Sequence, residues 1–380
     1  MDFFEISKDW LPRRSDEIWR RDLKIAPPSP DLVTVIQGVR RCGKSTFLGQ
    51  LVDDWKLKEG QCFFINFEDP RLIGHLQVEL LETLYEQVKK HHPTGPIHFF
   101  FDEIQVVPNW QKWIRLRVDN PTEDCFIITG SNASLLSGEF SSVLTGRHKS
   151  YELYPLSWNE VQSAFPKKSF DNYLLQGGFP RALKEKNAQP LLAQYFLDIT
   201  ERDLRERLKA KSSLKIQRLI KMVFESVGAE MSLRKLAPAA GISADTASLY
   251  LEAAQAAYLL FSCPYFAFSE KQQAYRNRKY YAIDPGLRKA VATNTGKDLG
   301  KDFENYVFLE LRKKYPQVYY WKGKSEVDFV VETNFGVQPI QVTYGEVQAR
   351  HEQALEEFYL AHPNALNPMY ITPETIAEHL

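Results

Sequence analysis

The chain has 380 residues, a length that predicts two or three domains rather than one core. Apolar residues make up 44% and charged residues 25%, which excludes a disordered chain. Lys+Arg and Asp+Glu both number 48, so no global positive field marks a nucleic-acid binder, and DNA contact would need a local basic patch.

Residues 1–30 combine charged, helix-like text with Pro27-Pro28-Ser29-Pro30, a helix-stopping linker. Residues 32–37 read as a short apolar strand and 45–55 as a helix with Phe47, Leu48, Leu51 and Val52 on one side. Strands follow at 62–67, 98–101 and 125–129, with helices at 76–89 and 109–118 between them. This alternation predicts an α/β domain over 31–160, a mostly parallel sheet covered by helices. After residue 160 the text turns helical, through 170–184 and 193–208, predicting a helical lid over 161–215. A winged-helix domain is expected over 216–290. Strands return at 318–320, 327–331 and 339–343 between helices at 301–314 and 347–360, a small α/β domain over 298–380.

Cys42, Cys62, Cys125 and Cys263 show no C-x-x-C spacing, and Cys62 and Cys125 sit in apolar strand-like runs. Buried thiols in a reducing cytoplasm are the expectation. No signal-peptide pattern opens the sequence and no apolar run is long enough for a membrane span, so a cytoplasmic protein without membrane contact is expected.

The chemistry concentrates at Gly38-Val39-Arg40-Arg41-Cys42-Gly43-Lys44-Ser45-Thr46, between a predicted strand and a predicted helix. A phosphate loop needs glycines so that backbone N–H groups can surround phosphate oxygens. It needs a Lys to reach the β- and γ-phosphates and a hydroxyl for magnesium. Gly38, Gly43, Lys44 and Ser45 meet that spacing, so ATP and Mg2+ are the expected cofactors. His98-Phe99-Phe100-Phe101-Asp102-Glu103 supplies the acidic half, with Asp102 for the metal and Glu103 as general base for the attacking water. Thr129-Gly130-Ser131-Asn132 closes another apolar strand, where Asn132 or Ser131 is a candidate sensor between γ-phosphate and water. Arg147 lies just beyond these strands and is a candidate for compensating transition-state charge, in cis or on a neighbour's nucleotide.

The phosphate-loop run from Gly38 to Thr46 resembles that of a large prokaryotic AAA+ ATPase family in the wider STAND-like group. So do the Phe101–Gln105 run, Thr129-Gly130-Ser131-Asn132, Gly146-Arg147 and Leu153-Tyr154-Pro155-Leu156-Ser157. The resemblance spans nearly the whole chain and implies an AAA+-type P-loop ATPase with a C-terminal region of unassigned function. It implies no substrate.

In the middle of the chain, residues 231–251 read as helix–turn–helix, with Ser232 capping the first helix, Gly241 turning the chain, Ile242 at the corner and Ser243 capping the second. Tyr258-Leu259-Leu260-Phe261 would open a winged hairpin. The second helix offers Ala244, Asp245, Thr246 and Ser248 but no Arg or Lys, while Arg234, Lys235 and the Arg276-Asn277-Arg278-Lys279 run lie nearby. Phosphate attraction to double-stranded DNA and a purely structural role both remain open.

At the C-terminal end, Glu304 in a predicted helix, Asp328 in a predicted strand and the strand with Gln341 and Thr343 look like a restriction-endonuclease-like core. In that core a helix Glu, a strand Asp and a Glu-x-Lys strand bind magnesium and activate water. Gln341 stands at the Glu position and Thr343 at the Lys position, so the site is degenerate. The expected function is an oligomeric ATPase coupling nucleotide state to DNA binding or assembly. The alternatives are a nucleotide-dependent partner switch without nucleic acid and an ATP-driven nuclease of a defence or repair system.

Overall fold

The computed structural model describes residues 2–10, 19–58, 60–92, 94–120, 122–131, 143–293 and 299–379. They divide into two compact units, residues 1–167 with 256–258 and residues 168–255 with 259–380.

The first unit is built on strands β1 (Val33–Gln37), β2 (Cys62–Asn66), β3 (His98–Asp102), β4 (Cys125–Gly130) and β5 (His148–Glu152). They form one parallel sheet in the order β2-β3-β4-β1-β5. Every residue of β1 and β4 is buried, which explains their unbroken apolar text: a strand covered on both faces has no solvent side to alternate with. A shared core joins Val33, Val35, Phe99, Phe101, Phe126 and Ile128. Helices α2 (Lys44–Asp54), α3 (Val78–His91) and α4 (Trp110–Asp119) connect the strands, and α5 (Trp158–Ala164) follows β5. An N-terminal helix, α1 (Phe3–Trp10), buries Phe3 and Ile6 in the same core. Its Ser7 hydroxyl accepts a hydrogen bond from the Phe64 N–H at 3.1 Å.

Sequence reasoning missed β5. Its text is His-Lys-Ser-Tyr-Glu and none of its residues is fully buried, because β5 is the edge strand beside β1.

In the second unit the predicted helix over 170–184 is interrupted at Gly177-Gly178, giving α6 (Phe170–Gln176) and α7 (Pro180–Leu183). The charged stretch after α8 (Gln189–Asp198) continues as a π-helical segment over Ile199–Arg205. Next come α9 (Leu214–Glu225), α10 (Leu233–Ala239), α11 (Ala244–Ala256) and the antiparallel pair β6 (Leu260–Cys263) and β7 (Lys279–Ala282). Met231, ahead of α10, bridges Arg278 at the start of β7. Ser243 accepts a 3.1 Å bond from the Thr246 N–H, as expected of a cap. Ser232 makes no side-chain cap bond, contrary to expectation, since its backbone carbonyl alone receives the Lys235 and Leu236 N–H groups.

A further helix, α12 (Pro285–Val291), leads to the C-terminal region, where α13 (Leu299–Lys314) precedes β8 (Val318–Lys322), β9 (Glu326–Thr333) and β10 (Gly336–Val342). After α14 (Ala349–Ala361) a short strand, β11 (Met369–Ile371), adds parallel to β10 and gives the order β11-β10-β9-β8. This matches the small α/β expectation, with β11 added. No helix among the described residues is long and apolar enough to cross a membrane.

Candidate nucleotide site

Parallel register brings the C-terminal ends of the central strands to one edge of the sheet. Gln37 pairs with Gly130, Ile36 with Thr129, and Asn66 with Asp102. The loop from Gly38 to Gly43 therefore leaves β1 beside the ends of β3 and β4 and feeds directly into α2. Gly38 is required by crowding: a Cβ there would sit 2.0 Å from the Leu153 carbonyl oxygen. Gly43 takes φ +100° immediately before the helix, a backbone region that disfavours side chains.

Around this turn the polar side chains converge. Ser45 donates to Asp102 Oδ2 at 2.6 Å, and Asn66 donates to the same oxygen at 2.9 Å. Thr129 donates to the other oxygen, Oδ1, and its hydroxyl accepts the Glu103 N–H at 3.0 Å. The Lys44 ammonium bonds to the Gly38 and Val39 carbonyls at 3.1 and 3.3 Å and stands 3.7 Å from Glu103. Gln105 donates to the second Glu103 oxygen.

The electrostatics follow from burial. Asp102 is fully buried, and burial with the adjacent Glu103 charge raises its pKa against the Ser45 and Thr129 bonds. Burial also opposes ionisation of Glu103 and of Lys44, but their mutual attraction, aided by Gln105 and Arg40 at Glu103, wins; Glu103 is lowered and Lys44 raised. Lys44 and Glu103 thus stand as a charged pair, an ammonium and a carboxylate. Magnesium takes hard oxygen donors and keeps several waters. A hydroxyl and a buried carboxylate already in contact, the latter pushed toward its neutral form, are donors that a cation would stabilise, so Ser45 and Asp102 fit the ion.

Several partners were not foreseen. Asn66, the last residue of an apolar strand, carries the signal a polar strand end gives beside an acidic one. Arg21 carries none, yet its guanidinium bonds to the Cys42 carbonyl at 3.1 Å, the Tyr154 carbonyl at 2.5 Å and Glu160 at 3.1 Å. It braces the loop against the segment after β5. Cys42 is buried, with its thiol raised above the usual range by that burial, as expected of an inert core cysteine.

Ser131 is buried at the end of β4, and Asn132 lies outside the described residues. Arg147 is not brought to the loop. Its carbonyl accepts the Val33 N–H at 2.9 Å and its guanidinium pairs with Asp119, so it sits where β1 and β5 begin. A five-residue strand separates that edge from the loop, about 16 Å. An action in cis on this chain's own phosphate loop is overturned by that distance.

In the second unit Asp328 accepts the Val342 N–H at 2.8 Å, and its pKa is raised to about 7, first by burial and then by Glu304. Gln341 spends its amide on backbone, donating to the Glu326 carbonyl at 3.1 Å and accepting the Asp328 N–H at 3.4 Å. Thr343 bonds to its own turn, at the Glu346 carbonyl and the Gly345 N–H. Among the described residues no three His, Cys, Asp or Glu side chains are grouped to hold a metal ion. The basic run ahead of the C-terminal region also divides. Arg276 is exposed over the Tyr265 ring and Arg278 is exposed, but Lys279 is fully buried and cannot meet a phosphate backbone.

Residues 31–162 match the AAA domain family, residues 167–298 a domain of unknown function, DUF8612, and residues 299–376 another, DUF4143. An uncharacterized protein of Haemophilus influenzae is 30% identical over 345 residues, 85% of each chain. A second, from Methanocaldococcus jannaschii, is 31% identical over 372 residues, 90% of this chain and 81% of its own. The chain belongs to this AAA-domain family. Its parallel sheet and phosphate loop are therefore those of an AAA+-type P-loop fold. Solved structures similar to it include the Aeropyrum pernix ORC1 protein in complex with DNA (12% identity, 68% of this chain and 86% of that one, TM-score 0.31). AMPPCP-bound DnaA from Aquifex aeolicus is similar at the same level (13%, 60% and 82%, TM-score 0.30).

Proposed function

We propose that the chain is a magnesium-dependent ATP hydrolase whose nucleotide state is coupled to DNA binding or to assembly of several copies. The observation that carries the reading is the junction of Lys44, Ser45, Asp102 and Glu103 at one edge of the sheet. The loop N–H groups and Lys44 hold the phosphates, and Ser45 and Asp102 hold magnesium, which supplies charge neutralisation at the phosphates. Glu103 is ionised and beside Lys44, the state a base needs to orient and deprotonate water. Thr129 fixes both acids at once, through the Asp102 carboxylate and the Glu103 N–H. Arg147, distant from its own loop, suits action on a neighbouring copy's nucleotide.

DNA is the favoured partner because residues 216–290 follow a winged-helix-like order: α9, the Met231 bridge, α10, α11 and the antiparallel β6–β7 pair, whose connection carries a short helix over Glu270–Tyr275. Recognition by α11 gains no support, since Ser248 is tied to Glu252 and no basic side chain lies on that helix. The exposed Arg276 and Arg278 of the hairpin favour phosphate contacts without base reading.

ATP turnover measured while double-stranded DNA is titrated, with Lys44→Ala as blank, tests the proposal. Mg2+-dependent turnover that DNA stimulates, less so as salt rises, supports a DNA-coupled ATPase. Turnover indifferent to DNA favours the partner switch. Equal phosphate release by Lys44→Ala removes the ATPase reading.

A further inference from the structure

The acidic groups of the C-terminal region meet a lysine that the region itself does not supply. Lys279, on β7, is 0% exposed. Its ammonium bonds to Glu326 Oε1 and stands 3.8 Å from Glu304 Oε1. Asp328 lies close enough to act on it electrostatically, as Glu304 and Glu326 do, and the three together outweigh burial and keep Lys279 charged. Tyr281, two residues on along β7, donates to Glu304 at 2.7 Å, and Lys322 takes the other Glu326 oxygen at 3.7 Å. The Lys279 ammonium also stands 5.2 Å from the centre of the Tyr320 ring.

We infer that Lys279 takes the place of a divalent cation among Glu304, Glu326 and Asp328, so that this carboxylate cluster is a metal-free joint between the hairpin and the C-terminal sheet and not a cleavage site. Lys279 is the one ammonium shared by Glu304 and Glu326, while Lys322 sits nearer Glu230, at 2.9 Å, than Glu326. A fully buried ammonium is tolerable only when carboxylates pair with it, and the half-buried Glu304 and Glu326 do so. A catalytic lysine would have to reach a scissile phosphate, and a fully buried ammonium does not. Gln341 and Thr343, engaged with backbone, leave no second lysine or acid in their strand to restore the chemistry. The inference goes beyond the ATPase reading and is independent of it, because these residues all belong to the second unit.

The test is Mn2+ binding and thermal unfolding of the full chain without nucleotide, for the native protein, Asp328→Asn, Lys279→Met and the double variant. The native chain is expected to show no Mn2+ binding that Asp328→Asn removes, and no cutting of supercoiled DNA. Lys279→Met takes from these half-buried acids the one ammonium they share and is expected to lower Tm by roughly 5–15 °C. Mn2+ then recovers part of that loss, and Asp328→Asn cancels the recovery. Native Mn2+ binding or DNA cutting that depends on Asp328 overturns the inference. So does an unchanged Tm in Lys279→Met, or a loss that Mn2+ leaves untouched. Should Lys279→Met not fold, the native titration against Asp328→Asn decides alone, binding overturning the inference and its lack upholding it.

Discussion

Ser45 and Asp102, 57 positions apart in sequence, are joined by a 2.6 Å hydrogen bond from hydroxyl to carboxylate. The bond exists because β3 lies one strand away from β1, with β4 between them, and all three run the same way. Strand ends that share an edge bring together a helix start and an acidic strand end that sequence alone lists separately.

The same edge predicts a role for the residues that hold Asp102 in place. Asn66 and Thr129 each donate to Asp102, so Asn66→Ala and Thr129→Val free the carboxylate to turn. Each change is expected to raise the Mg2+ concentration needed for half-maximal turnover by about 10- to 100-fold. A magnesium titration of ATP turnover checks this, and unchanged curves would remove both residues from the account.

Crowding at Gly38 gives a second expectation. Gly38→Ala must displace the Leu153 carbonyl, which otherwise lies 2.0 Å from the new carbon. That carbonyl also accepts the Cys42 thiol, so the whole loop shifts. Nucleotide affinity should fall at least tenfold, about 1.4 kcal/mol, as measured by equilibrium binding of a fluorescent ATP analogue.

A third prediction concerns stability and pH. Asp124 is buried and holds four donors: Tyr85 at 2.8 Å, Lys89 at 3.0 Å, the Ile97 N–H at 2.9 Å and Thr122 at 3.0 Å. Burial works against its charge, yet the Ile97 N–H, Lys89, Tyr85 and Thr122 outweigh burial and lower its pKa. A lowered carboxyl contributes stability that is fully present above the unfolded value of about 3.9 and lost as pH falls through the folded value. Asp124→Ala should cost about 2–4 kcal/mol at pH 7. The gap between native and variant should narrow as the pH of urea unfolding is lowered below 4. A gap that does not change with pH would show that Asp124 acts without its charge.

Arg147 yields a mixing experiment. Its position at the strand starts keeps it from this chain's own loop, so the proposed role is on a neighbouring copy's nucleotide. Arg147→Ala and Lys44→Ala should each be inactive alone, while a mixture recovers part of the turnover through intact loops facing intact arginines. No recovery in a mixture that forms mixed oligomers would assign Arg147 to its Asp119 pair and nothing more.

The core of the site was legible because its parts announce themselves locally. A glycine-lysine-serine turn follows one apolar run, and an acidic pair ends another. What was hidden depends on reach across the fold. Arg21 contacts a loop 21 positions away, and nothing in its own neighbourhood points there. The edge strand β5 is polar because solvent reaches it, so it lacks the apolar run that marked β1, β3 and β4. Lys279 read as part of a basic run because lysines are seldom buried. Only its pairing with Glu304 and Glu326, 25 and 47 positions away by chain number, explains the exception.

The central claim is that Lys44 holds nucleotide and Glu103 drives its hydrolysis, and one paired measurement tests it most directly: ATP binding and phosphate release by Lys44→Ala and Glu103→Gln beside the native chain. The account predicts that Lys44→Ala loses binding, and that Glu103→Gln binds ATP with turnover reduced about 100-fold or more. Native rates of phosphate release in both variants would contradict it.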